Sequence, residues 1–324
     1  MILAPLRGVT IRCFRETFSD VIAECGFTEA VTPFIPAMPG LDPMGNEELR
    51  MKNEKCSEGV AASPHSSFFI LHSSFHLTPQ FIGKDPAALR SCLERIKAAG
   101  YDTADLNAGC PFPMVRNKGR GSGLLKTPDV LRRMLEVGCS VMGEGKFSLK
   151  ARLGVDRNDE LLKLMPLVNE FPLRFLTVHA RNARQMYEGC CDVEMLREIE
   201  RVAKVPVVEN GDIPFPPRLA AQTEVDELST LEEATGDIAA RRGGNDNART
   251  MIGRGFIRYL GTREDAGDLL RRYIESSQRE LCGDRPVLGR MKELVSYWKD
   301  LPNWRRKWNV VKICRSVDEL RSAI

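Results

Sequence analysis

The sequence lacks the features that mark membrane, secreted and zinc-ribbon proteins. Its apolar runs are short: residues 68–71 form one of the longest, against the ~20 that span a bilayer. The opening stretch MILAPLRGVT has neither a basic n-region nor a small-residue cleavage site, so no signal peptide is expected. An excess of one charge is nearly missing too. The net charge of +3 is too small to announce a nucleic-acid partner. The ten cysteines are scattered, with Cys190 and Cys191 adjacent, and no CxxC pair occurs, which argues against a zinc ribbon or a thioredoxin-type dithiol. No complete GxGxxG and no GxxxxGK[ST] is present, so the phosphate turn of a doubly wound nucleotide-binding sheet is absent. What remains is 43% hydrophobic and 28% charged, a globular chain able to bury a large core. A reduced cytoplasmic compartment, a monomer and no metal are expected.

Length and patterning point to one large domain plus a small one. Short β-branched runs at 2–4, 29–35, 79–82, 103–106, 148–152, 175–178, 205–209 and 250–252 alternate with amphipathic stretches at 11–24, 86–99, 128–137, 160–170 and 193–202. That alternation is the signature of βα units around a parallel sheet, and eight strands is the number that closes an α/β barrel of the (β/α)8 TIM type. From about residue 262 the strands stop and three helical stretches follow. The expected division is a barrel over 1–261 and a small all-helical domain over 262–324. The latter has fourteen basic residues against ten acidic and contains all three tryptophans, Trp298, Trp304 and Trp308. The cluster Trp304-Arg305-Arg306-Lys307-Trp308 has two readings: a surface for phosphates and bases, or a solvated helix face whose tryptophans anchor a local core.

Two segments break the pattern and are expected to be irregular. Residues 51–77 lack helical periodicity where a barrel helix belongs, and contain a short imperfect duplication, SSFFILH followed by SSFHL. They hold three of the four histidines, but the spacing and the lack of supporting carboxylates do not describe a metal site. Residues 224–249 are interrupted by Gly243-Gly244-Asn245-Asp246-Asn247.

Barrel active sites are built from the carboxyl ends of the strands. Here those ends carry Pro5-Leu6-Arg7-Gly8, Gln80, Asn107-Ala108-Gly109-Cys110-Pro111, Lys150 with Arg152, His179 with Arg181, Asn210-Gly211-Asp212 and Gly253-Arg254-Gly255. Each has a plain explanation alone, as a turn or a paired strand residue. Polar groups arriving at one rim strand after strand do not. Glycines ending strands seven and eight suit a phosphate. Lys150 and His179, halfway round, would meet the far end of whatever carries it. Flavin mononucleotide (FMN) has that length, and a cation at Lys150 would stabilise the negative charge that its ring builds on reduction. Cys110, fixed between Gly109 and Pro111, is the best single candidate for chemistry. An unperturbed thiol, with pKa ~8.5, is mostly protonated near neutral pH and can donate a proton.

With these residues assembled, the chain resembles the tRNA-dihydrouridine synthases. LAPLRGVT, TADLNAGCP with VRNKGRGSGLL, LKARLG, LTVHAR, VVENGDI and MIGRG occur in that family's order and spacing. Leu6 and Arg7 stand where the family usually has methionine and a small or acidic residue. The resemblance implies an FMN-dependent barrel that reduces the C5–C6 double bond of uridines in tRNA, using NADPH. It implies that Pro5, Leu6 and Arg7 border the flavin and that Gln80 bonds its ring. Lys150 and His179 would approach the reduced ring, and Asn210, Gly211, Asp212, Gly253 and Arg254 would hold ribityl and phosphate groups. Cys110 would protonate C5, Asn107 would orient the base, and Lys118 and Arg120 would face RNA, with Arg305, Arg306 and Lys307 extending that surface on the tail. Two competing readings are a barrel acting on a free pyrimidine, similar to dihydroorotate dehydrogenases, and a non-enzymatic RNA-binding module on a decayed barrel.

Overall fold

The computed structural model describes residues 1–49, 75–216 and 249–324. Ten strand segments form one parallel sheet: β1 (Ile2–Leu3), β2 (Glu29–Val31), β3 (Ile35–Pro36), β4 (His76–Thr78), β5 (Gln80–Ile82), β6 (Ala104–Ala108), β7 (Phe147–Gly154), β8 (Leu176–Asn182), β9 (Val207–Asn210) and β10 (Arg249–Ile252). Their order is β3-β5-β6-β7-β8-β9-β10-β1-β2-β4. Since β2 pairs with β4 and β3 with β5, the two ends of that order are halves of the same two extended segments, 29–36 and 76–82. The ring is therefore closed by eight strands, as the alternation of the sequence predicts.

Both interrupted strands contain a proline, Pro33 and Pro79, which has no N–H to give to a ladder. Thr32 bridges the gap. Its backbone N–H donates to the Thr78 carbonyl at 3.0 Å, and its hydroxyl accepts from the Gln80 N–H at 3.0 Å.

The irregular segment expected at 51–77 runs too far. His76–Thr78 is a barrel strand in register with Glu29–Val31, and Phe75 is buried. The strand signal is hidden because Ser73–Leu77 repeats the preceding SSFF motif. Residues 50–74 lie outside the described residues. The second irregular segment is likewise overdrawn by one residue, Arg249, which opens β10; residues 217–248 lie outside the described residues.

Outward-facing Leu106, Leu149, Ala151 and Val178 pack against Leu93 of helix Pro86–Ala98, Leu135 of Pro128–Met142, Leu161 of Glu160–Val168 and Leu196 of Val193–Val202 in one apolar core. Inside the ring, Ile2, Ala4, Val31, Phe175, Val208 and Met251 form an apolar plug. Above it the interior turns polar, and that polar layer is the floor of the mouth.

The tail forms the helices Ala266–Glu280, Asp284–Ser296, Pro302–Val311 and Val317–Ala323, preceded by Arg254–Thr262, which the sequence pattern does not separate from strand eight. It does not bury its apolar faces alone. One core cluster joins Phe14, Phe18 and Phe256 of the barrel side to Tyr273, Met291, Trp298 and Trp304 of the tail. The Trp298 and Trp304 indoles donate to the carbonyls of Ile257 at 2.6 Å and Gly261 at 2.9 Å. Of the two readings of the 304–308 cluster, the core reading holds for the Trp304 ring, while Trp308 is half-buried against the same core. Among the described residues no helix is long and apolar enough to cross a membrane, and no group of three or more His, Cys, Asp or Glu could hold a metal ion.

Candidate active site

Strand register decides which rim residues meet. Side chains alternate across a strand, and residues opposite one another in a parallel pair point the same way. Asn107 lies opposite Lys150 and Lys150 opposite Thr177; Arg152 lies opposite His179 and His179 opposite Asn210. Asn107, Lys150, Arg152, His179 and Asn210 therefore project into one mouth, as the strand-end reading requires.

Cys110 follows β6 in a turn held from both sides. The Asn107 side-chain oxygen accepts from the backbone N–H groups of Gly109 at 3.1 Å and Cys110 at 2.9 Å. The Cys110 carbonyl accepts from the Ser122 N–H at 3.1 Å and from its hydroxyl at 2.9 Å. Arg152 Nε donates to the Gly109 carbonyl at 3.0 Å. Burial pushes the Cys110 thiol above its usual pKa, against the opposing pull of the Phe112 N–H, Arg152, Arg7 and Lys150. At neutral pH it is a thiol, able to donate a proton.

Lys150 Nζ donates to Asn210 Oδ1 at 3.0 Å, and Asn210 Nδ2 donates in turn to the Met251 carbonyl at 2.7 Å. Burial, followed by the neighbouring Arg152, brings Lys150 down to about 8, so it is still mainly an ammonium at pH 7. Burial, with Arg152, Lys150, Arg181 and Arg254 adding, holds His179 well below the usual histidine range. It is a neutral imidazole whose Nε2 accepts from Arg181 at 3.4 Å.

The far side of the mouth gathers positive charge. Asp212 forms an ion pair with Arg181 and accepts from Arg254 at 3.0 Å, so one carboxylate spaces two guanidiniums. Gly253 precedes the helix Arg254–Thr262, whose N-terminus adds partial positive charge. Gly211 takes a φ of +108°, and a Cβ there would lie 2.7 Å from Cys191 Sγ and 2.8 Å from the His179 ring. Only glycine lets this backbone pass so close to the imidazole. Tyr187 covers the group, its ring 5.3 Å from the Arg152 guanidinium and 5.0 Å from that of Arg254. A cationic cradle of this kind, beside a neutral imidazole and a lysine, fits a phosphorylated, electron-accepting group such as FMN.

Other expected residues are placed less centrally. Pro5 and Leu6 are half-buried and Arg7 is exposed, 5.7 Å from the Phe34 ring. Gln80 is fully buried, with both amide ends taken by protein: Nε2 donates to Asp105 at 2.7 Å and Oε1 accepts from Asn107 at 2.8 Å. Lys118 is exposed, while Arg120 is half-buried beside Met38. Arg305 and Arg306 are exposed, whereas Lys307 donates to the Ile324 carbonyl at 3.2 Å and lies 5.0 Å from the Trp304 ring. Sequence reading passes over Asp105, Ser122, Tyr187 and Cys191. Asp105 stands two residues before Asn107 and so on the same face, but a lone strand carboxylate carries no signal of its own.

The family profile described as dihydrouridine synthase matches residues 2–228. The tRNA-dihydrouridine synthase B of Vibrio vulnificus (strain CMCP6) is 28% identical over 217 residues, which cover 67% of this chain and 61% of that protein. The protein of the same name from Proteus vulgaris is 27% identical over 265 residues, 82% of this chain and 72% of that one. The alignment thus spans about three-fifths of the Vibrio relative's length. Among solved structures, morphinone reductase is similar at 10% identity with a TM-score of 0.49, over 80% of this chain and 82% of that one. The profile match takes in β1 through β9, and with them the Cys110 turn, Lys150, His179 and the Asn210–Asp212 turn: the chain belongs to the dihydrouridine synthase family.

Proposed function

We propose that this protein is an FMN-dependent tRNA-dihydrouridine synthase, reducing the C5–C6 double bond of uridines in tRNA with NADPH as reductant. The observation that carries the reading is Cys110, a buried, protonated thiol in a rigid turn, opening into the same mouth as Lys150 and His179. In this reading residues 1–261 carry the reaction and 262–324 help to bind RNA, with Lys118 and Arg120 at the rim, and the protein works as a monomer. Pro5, Leu6 and Arg7 border the flavin, Lys150, His179 and Asn210 face its ring and ribityl chain, and Gly211, Asp212, Gly253 and Arg254 line the phosphate end. When bound, the flavin supplies hydride to C6 of the uracil.

The chain's own groups do the remainder. Cys110 Sγ–H gives its proton to C5, and the thiolate left behind, facing Arg152 and Lys150, is reprotonated from solvent. The Lys150 ammonium and the neutral His179 set a positive, hydrogen-bonding wall where negative charge gathers during transfer. Asn107 and Gln80, each with both amide ends engaged by protein, support the turn and the floor. A uridine can reach this depth only if flipped out of its stack.

The test is a visible spectrum of the purified full chain, then incubation with NADPH and unmodified tRNA and mapping of dihydrouridine. A flavin spectrum and new dihydrouridine are expected. No flavin absorbance after reconstitution with excess FMN, or reduction of free uracil but not of tRNA, would overturn the reading.

A further inference from the structure

Three buried side chains connect the barrel interior to the Cys110 turn in a line. Asp105 Oδ2 accepts from Gln80 Nε2 at 2.7 Å, Gln80 Oε1 accepts from Asn107 Nδ2 at 2.8 Å, and Asn107 Oδ1 accepts from the N–H groups of Gly109 and Cys110. Asp105 and Gln80 are fully buried and Asn107 is 8% exposed, so bulk water offers little substitute partner. The other Asp105 oxygen accepts from the Ser148 hydroxyl at 2.6 Å.

The two ends of this line have fixed character. Backbone N–H groups only donate, and an ionised carboxylate only accepts. The two amides between them could each be turned over, exchanging donor for acceptor, but with these ends only one arrangement pairs every group. Reversing either amide would set N–H against N–H or oxygen against oxygen, leaving buried groups unpaired. We propose that Asp105 is a positioning residue: its acceptor-only carboxylate fixes the polarity of the Gln80–Asn107 amide chain and thereby holds the backbone turn that presents Cys110. Burial lifts Asp105 only to about 6, so it remains mostly a carboxylate at neutral pH. As a role in proton donation this rests on the proposed reaction; as a device for holding the turn it does not.

The polarity argument makes a reciprocal prediction. In Asp105→Asn the far end no longer enforces a direction: the new amide can accept from Gln80 as the carboxylate does, or donate to it and turn the Asn107 N–H₂ toward the two backbone donors, so the parent arrangement rests on the backbone end alone. In Asn107→Asp an acceptor-only group faces Gln80 Oε1, and the carboxylates at both ends leave Gln80 one unpaired oxygen. In the double variant Asp105→Asn/Asn107→Asp the line is satisfied again with its direction reversed. The introduced amide donates to Gln80, Gln80 donates to the introduced carboxylate, and that carboxylate still accepts from the N–H groups of Gly109 and Cys110.

The experiment is a double-mutant cycle on the full chain, read without tRNA by amide hydrogen exchange at Gly109 and Cys110 and by the rate of iodoacetamide alkylation at Cys110, followed by peptide mass spectrometry. Asn107→Asp should speed amide exchange and alkylation on the order of tenfold and Asp105→Asn by a smaller factor, and the double variant should return both to within a few-fold of the parent. Single variants that fail to fold while the double variant folds report the same coupling. Singles that behave like the parent, or a double variant no better than the worse single, would overturn the proposal. In the proposed reaction, Asp105→Asn also lowers kcat with flavin affinity kept. A parent protein inactive on tRNA would remove the reaction while leaving the exchange and alkylation cycle to decide the positioning role.

Discussion

At the scale of single residues, the chemistry of Cys110 follows from what does not contact its sulfur. Among the described residues no histidine or carboxylate hydrogen-bonds to Sγ, so nothing draws the proton away, and burial raises the pKa further. The nearby cations Arg152, Arg7 and Lys150 pull the other way without reversing the direction. In the proposed reaction that makes it the proton donor, and Cys110→Ala should lower dihydrouridine formation by about 10²–10⁴-fold while flavin binding and NADPH oxidation by the flavin persist. Single-turnover assays separate the two half-reactions; undiminished uridine reduction would remove Cys110 from the mechanism. The same assay run against pH has a definite sign. Lys150 titrates at about 8 rather than 10.5, so its ammonium is present below that value and is lost as pH rises through it. The rate should fall across that window, and in Lys150→Arg, if active, the fall should move to higher pH. Cys110, Lys150 and His179 stand out as candidates in the sequence because each is a reactive type at a strand end. Asp105 does not, since a lone strand carboxylate looks like any other until the register places Gln80 and Ser148 against it. The pairing of Arg181 and Arg254 with Asp212 was equally hidden, because it joins three separate strand ends.

At the scale of elements, helix Pro86–Ala98 shows how local sequence places the strands correctly. Asp85 caps it, its carboxylate accepting from the N–H groups of Ala87 at 2.9 Å and Ala88 at 3.3 Å, with Pro86 in the first turn. Asp85→Ala should cost about 0.5–2 kcal/mol of stability. Because the cap touches none of the groups around Cys110, the loss should be seen in denaturant midpoints with kcat unchanged; a fall in kcat at full stability would show that the cap reaches the site by another route. All eight barrel strands were legible as short runs among helical stretches, the third only in its second half, since His76–Thr78 fell in the segment expected to be irregular. The breaks at Pro33 and Pro79 were legible in principle, as proline cannot complete a ladder. The helix Arg254–Thr262 was missed because Gly253, Gly255 and Gly261 depress helix propensity. Packing overrides that: a Cβ on Gly261 would lie 2.5 Å from the Trp298 ring, so the glycine permits the contact that holds the helix in place.

At the scale of the whole molecule, the tail is tied to the barrel by a shared core, and this determines how its role can be tested. Removing residues 262–324 would strip Tyr273, Met291, Trp298 and Trp304 from the cluster that also covers Phe14 and Phe256, so a truncated barrel would report lost packing and not lost RNA contacts. Surface substitution is the cleaner approach. Arg305 and Arg306 are exposed and carry no side-chain partner among the described residues, whereas Lys307 is engaged by the Ile324 carbonyl and the Trp304 ring. With Trp304 buried and Trp308 half-buried, the cluster offers charge and little stacking surface, so in the proposed function it would act on RNA through counterion release. Each phosphate contact contributes nearly one unit to the dependence of log affinity on log salt. Replacing Arg305, Arg306 and Lys307 together with alanine should therefore weaken tRNA binding and flatten that slope by about two, not three. NADPH oxidation by the flavin should be unaffected. Lys118→Ala with Arg120→Ala should lower affinity and turnover together, since these residues follow Cys110 in the chain and Arg120 lies by Met38. If the triple variant binds tRNA with the parent's slope, Arg305 and Arg306 are a solvated face and the phosphates are held elsewhere. A slope change confined to the rim pair would then assign the RNA surface to the barrel mouth alone.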